Sequence, residues 1–122
     1  MAINSQAVFD AKANKYGGAH STRFQEAYVR SVNHVIRDFD NYGNVSGVSA
    51  VTGIEEDVGL EAKWETCFDV GVDYYLQRSG EWSVDDKRDY YREYRDQLAR
   101  VQAEYFLDYA SNDAYGKLGD QS

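Results

Sequence analysis

The chain contains no proline, one methionine and one cysteine, Cys67. A lone cysteine excludes an intrachain disulfide and fits a reducing compartment. No apolar run approaches the ~18 residues that a membrane span needs. The opening Met-Ala-Ile-Asn-Ser-Gln has neither a basic start nor an apolar stretch, so we expect no secretory signal there. Basic residues are outnumbered, 13 Lys and Arg against 21 Asp and Glu, for a net charge of −8. That balance argues against a protein that grips nucleic acid by neutralising phosphates, and so against specific nucleic-acid binding. It leaves open a wall past which DNA slides, or an acidic mimic of nucleic acid.

Recognisable catalytic patterns are missing as well. There is no glycine-rich phosphate loop, no GxGxxG and no His-Glu-x-x-His. His20 and His34 are far apart, without ligand-spaced partners. The run Glu55, Glu56, Asp57 is the densest acidic cluster, but adjacent acids in a loop are ordinarily solvated. Ser46, Ser49 and Thr52 sit near glycines with no base placed to activate them. Cys67 falls on an apolar helical face beside Phe68, which marks it as a core thiol. We therefore expect no enzyme, no cofactor, no metal and no catalytic residues.

What the chain does have is ordinary globular content, 43% hydrophobic and 28% charged, in a length that suits one domain. It also has eleven tyrosines. Tyrosine joins a large apolar ring to a polar tip, which suits both the wet edge of a small core and a protein–protein contact.

The spacing predicts an all-α fold, a small helical bundle around one long C-terminal helix over 83–109. Val84, Tyr91, Tyr94, Leu98, Val101 and Tyr105 step by 7, 3, 4, 3 and 4 there, one stripe on a helix about 40 Å long. Its outer face alternates Asp85, Arg88, Asp89, Arg92, Asp96 and Arg100, a solvated pattern. An earlier helix over 22–39 carries Phe24, Tyr28, Val32, Val35, Ile36 and Phe39 on one face. Thr22 with Gln25 reads as its capping box and Gly43 as its positive-φ stop. A further helix over 60–79 places Leu60, Trp64, Cys67, Phe68, Gly71 and Tyr75 on one face, with Asp57 as cap. Gly71 costs about 1 kcal/mol of helix propensity, which on an apolar face signals close approach by a neighbouring helix.

The stretch 45–59 is rich in β-branched residues and broken by Gly47, Gly53 and Gly59, so it reads as an extended or short β central loop. Residues 1–21 and 110–122 are polar and read as flexible arms flanking the helical domain over 22–109, with no more than a short helical turn over 7–13. The large apolar side chains of the arms and loop, Val8, Phe9, Val48, Val51, Ile54, Tyr115 and Leu118, are the expected assembly contacts.

Three segments carry a family resemblance: Phe-Gln-Glu-Ala-Tyr-Val-Arg-Ser-Val-Asn-His-Val-Ile-Arg-Asp-Phe from Phe24, the loop ending Thr-Gly-Ile-Glu-Glu-Asp-Val-Gly-Leu at Leu60, and Phe-Asp-Val-Gly-Val-Asp-Tyr-Tyr-Leu from Phe68 running into Gly-Glu-Trp at Trp82. Together they resemble the head-to-tail adaptor (connector or neck) proteins of tailed bacteriophages. The resemblance implies a virion structural protein, assembled in the host cytoplasm into a homo-oligomeric ring, typically of twelve subunits. Such a ring binds the portal protein on one side and a tail or nozzle protein on the other, lets DNA pass, and touches no membrane. The alternative from composition is an acidic helical inhibitor or regulatory binding protein. The mixed signs over 83–109 count against a purely acidic face.

Overall fold

A computed structural model describes residues 2–17, 21–78, 82 and 88–110. They form a mostly helical bundle: β1 (Ala2–Ile3), α1 (Ser5–Tyr16), α2 (Thr22–Gly43), β2 (Val58–Glu61), a 3-10 turn (Ala62–Trp64), α3 (Glu65–Arg78) and α4 (Tyr90–Ala110). β1 pairs antiparallel with β2, joining the start of the chain to the end of the central loop. No described helix is long and apolar enough to cross a membrane.

The centre of the bundle is α2. Phe24, Ala27, Tyr28, Ser31, Val32, Val35, Ile36, Phe39 and Gly43 recur every three or four residues and are all buried. That spacing keeps one continuous face inward over its 22 residues. Its N-cap is Ser21, one residue before the expected Thr22, and the Ser21 hydroxyl accepts the Phe24 amide at 3.2 Å. At the other end Asn44, not Gly43, takes the left-handed turn, with φ of 59°. Gly43 stays helical because it is wanted for space: a Cβ there would lie 3.2 Å from Val101 Cγ1 on α4.

The N-terminal segment departs most from expectation. Residues 2–17 are no free arm. Asn4 caps α1 by accepting the Ala7 amide, and Gly17 closes it at φ of 65°. Phe9 is fully buried, its ring 5.6 Å from Phe24 and edge-on to Tyr28 at 5.2 Å. Val8 is buried in the same core. Polar groups fix the helix in place. Lys12 Nζ, almost wholly buried, pairs with Asp73 Oδ2 at 2.7 Å and Asp69 Oδ1 at 2.8 Å on α3. Lys15 reaches Asp73 Oδ1 at 3.2 Å and donates to Tyr90 Oη at 2.7 Å. Tyr16 Oη donates to Asp73 Oδ1 at 2.5 Å and accepts from Gln77 at 2.8 Å. Tyr28 Oη donates to the Ser5 carbonyl at 2.9 Å. Desolvation alone would lower the Lys15 pKa, but its bonds to Tyr90 and Asp73 outweigh that and raise it. Burial raises those of Tyr16 and Tyr28.

The central loop forms one strand, at its very end. Leu60, expected as the first residue of a helix, belongs to β2, and α3 starts at Glu65; Asp57 is exposed and caps nothing there. The irregular part of the loop is pinned to α2 by Asn33, whose side chain donates to the Val51 carbonyl at 2.9 Å and accepts the Val51 amide at 2.8 Å. Glu56 turns back to accept both the amide and the hydroxyl of Thr52. At the C-terminal end, the described helix begins at Tyr90. Val84 lies outside the described residues, as do the positions 111–122.

Candidate functional site

Where α2, α3 and α4 meet, a groove of about 560 Å³ is lined by Asp38 and Tyr42 from α2, Tyr74 and Tyr75 from α3, and Tyr91, Tyr94, Arg95 and Leu98 from α4. Its size lies within the roughly 300–1,000 Å³ of binding pockets. Five of the eleven tyrosines line it. The two most exposed large apolar side chains among the described residues, Tyr42 at 60% and Tyr91 at 47%, stand on its walls.

Helix geometry gathers these rings. Tyr74 and Tyr75 are neighbours on α3, so they point to adjacent sides of one helix edge. Tyr91 and Tyr94 are three apart on α4 and share a face. Tyr74 sits among them, 4.9 Å from Tyr75, 5.3 Å from Tyr91 and 6.1 Å from Tyr94 between ring centroids. Tyr75 meets Tyr94 edge-on at 6.2 Å, and its other surroundings include His34, stacked at 4.8 Å. These separations are those of favourable aromatic pairs.

The polar centre is Asp38. Its Oδ2 accepts the hydroxyls of both Tyr75 and Tyr94, the second at 2.8 Å. Burial, joined by the hydrogen bond to Asp38 and the Asp38 charge, raises the pKa of both phenols, so they stay protonated donors. At the rim Arg95 lies with its guanidinium 5.5 Å from the centroid of the Tyr91 ring.

The residues expected as assembly contacts are not brought together. Val8, Phe9 and Val51 are buried within the chain's own core and present nothing to a partner. Val48 and Ile54 are half-buried and pack against that core. Tyr115 and Leu118 lie outside the described residues. Cys67 is buried as expected, and burial pushes its thiol pKa up to about 12, which keeps it an unreactive thiol. Among the described residues no group of three or more His, Cys, Asp or Glu is arranged to hold a metal ion. The groove was missed in the sequence because its residues come from three helices spread over 38–102 and form no local motif. The one available signal was the pairing of adjacent tyrosines, Tyr74 with Tyr75 and Tyr90 with Tyr91. Compared with protein-family models, curated proteins and solved structures, the chain matches none.

Proposed function

We propose that this protein is a structural adaptor of a phage neck, one of a ring of identical subunits held between the portal and the tail, with the tyrosine-lined groove as a docking surface. The observation that carries the reading is the pair Tyr42 and Tyr91, exposed on the walls of one groove. Tyrosine anchors protein interfaces because a rigid ring buries much apolar area at little entropic cost, while its hydroxyl keeps a hydrogen bond. The resemblance of 24–109 to head-to-tail adaptors points the same way. A net charge of −8 suits a ring through which DNA must slide without sticking. The portal and a tail or nozzle protein are the proposed partners, the virion neck the proposed location, and the host cytoplasm the place of assembly.

Sizing the purified protein alone and with a portal ring from the same source tests this. Co-sedimentation with the portal is expected, together with its loss in a Tyr42→Ser, Tyr91→Ser variant that melts like the parent. A chain that stays monomeric and apart from the portal overturns the adaptor reading. The acidic-inhibitor reading gains nothing from α4, whose exposed surface mixes Arg92, Arg95 and Arg100 with Asp96.

A further inference from the structure

We propose that the groove takes the guanidinium of an arginine side chain from a partner protein, with Asp38 as its counter-ion and the tyrosine rings as its walls. The assignment rests on reading the groove as a docking surface and adds the chemistry that the surface recognises.

Two carboxylates accept tyrosine hydroxyls in this bundle, and they differ in burial and in charge balance. Asp73 is buried and accepts a tyrosine hydroxyl, and two ammonium groups, Lys12 and Lys15, neutralise it. Asp38 is half-buried and accepts two tyrosine hydroxyls, yet among the described residues no lysine, arginine or histidine lies within ion-pair distance of it. Phenols are neutral donors and leave the formal charge in place. Only Oδ2 is used by them. Oδ1 accepts no hydrogen bond from the described residues, and Asp38 lines the groove. A half-buried carboxylate on the groove wall, with one oxygen unused by the protein and no cation beside it, is open to a cation that a partner supplies.

The walls fit the same ligand. A cation is attracted to an aromatic face within about 6 Å of the centroid. Arg95 shows this on the outer side of the site, where its guanidinium stacks over Tyr91 with Nη1 3.5 Å from the Tyr91 hydroxyl. It is engaged there and is not paired with Asp38. Arginine is preferred to lysine because its planar fork can stack on a ring and donate to a carboxylate at once, whereas an ammonium is a strongly hydrated point charge. The acidic balance of the whole chain draws a basic partner segment toward the groove.

The test uses the full chain with acetyl-Gly-Arg-Gly-amide as probe and the matching citrulline peptide, equal in shape and uncharged, as control. Tyrosine ring resonances are followed in a titration. The arginine peptide should shift the rings of Tyr74, Tyr75 and Tyr94 saturably and bind about tenfold or more tightly than the citrulline peptide. Asp38→Asn, which still offers an oxygen to the phenols, should abolish that preference. Equal binding of the two peptides, or full arginine affinity in Asp38→Asn, overturns the assignment. Should Asp38→Asn fold poorly, Tyr74→Leu on the half-buried wall of the groove replaces it, with a several-fold loss of arginine-peptide affinity expected and an unchanged affinity decisive against the proposal. The two readings fail separately: if both peptides bind alike while the Tyr42, Tyr91 variant still loses the portal, the cation site falls and the docking surface stands.

Discussion

Gly71 and Tyr94 touch. A methyl group on Gly71 would lie 2.6 Å from Tyr94 Cε1 and 2.9 Å from Val35 Cγ2, closer than carbon atoms pack. The missing side chain on α3 is thus the space into which α4 lays the ring whose hydroxyl reaches Asp38. Gly71→Ala gains about 1 kcal/mol of helix propensity but overpacks the interface at a cost of about 1–3 kcal/mol. A net loss of stability is expected in urea unfolding, with the Tyr94 ring signal displaced. An alanine variant as stable as the parent, with Tyr94 unmoved, is incompatible with this contact.

Phe9→Ala should destabilise the protein by about 3–5 kcal/mol, the range for emptying a buried aromatic site. Phe9 is at 0% exposure, against Phe24 and Tyr28. Denaturant midpoints of the variant and the parent decide the matter. A change under about 1 kcal/mol would mean that the first helix contributes little to the core.

Asp73→Ala strands the Lys12 ammonium in the interior with only the half-exposed Asp69 as partner. Removing one member of a buried pair costs about 3–5 kcal/mol, whereas replacing both by apolar groups is often nearly neutral. The expected outcome is a strongly destabilised single variant and a Lys12→Met, Asp73→Leu double variant that recovers most of the loss. Thermal melting of the parent, the single variant and the double variant decides, and a double variant that melts no higher than Asp73→Ala would sink the idea.

High pH should unfold the protein. Tyr28 and Tyr94 are buried, and burial, joined at Tyr94 by the Asp38 charge, raises their folded pKa above the ordinary 10.0. In the unfolded chain they ionise near that value, so above it the folded state holds more protons. Stability is therefore fully present below pH 10 and falls above it by about 1.4 kcal/mol per pH unit for each of the two. Lys15 acts in the same direction, because its folded pKa is also raised. Melting temperature measured alongside tyrosinate absorbance should stay level to about pH 9 and then drop as the buried phenols ionise together with unfolding. Smooth ionisation of every tyrosine in a folded chain would contradict the burial of these two rings.

The helical class and two of its apolar faces were legible because periodicity is written locally. The face from Phe24 to Phe39 is as its spacing predicts, as are buried Cys67 and Phe68 and the close approach at Gly71, whereas Tyr75 is half-buried and Leu76 lies inside. Other features depended on partners remote in sequence. Lys12 belongs to the polar residues by which 1–21 reads as a flexible arm, yet Asp69 and Asp73 make it an interior residue. Gly43 looked like a stop signal, but what it supplies is room for Val101, and Asn44 bears the positive φ. By spacing Tyr91 falls on the core stripe of α4, but it is half-exposed, because the buried line runs through Tyr90, Tyr94, Leu98 and Val101. The tyrosine-lined groove is illegible in the sequence for the same reason: Asp38, Tyr75 and Tyr94 come together only after three helices have packed.

The ties between α1 and the rest of the bundle also set an order of events during synthesis. The groups that anchor Tyr16, Lys12 and Lys15 lie 57, 61 and 75 residues further along the chain. At about 5–20 residues per second the ribosome needs several seconds to deliver them. α1 is made before α3 and α4 and is thus among the last helices to find its partners, and until then Phe9 has only α2 to cover it. During that interval the nascent chain exposes apolar surface beside an unpaired lysine, a state suited to capture by a chaperone before the bundle can close.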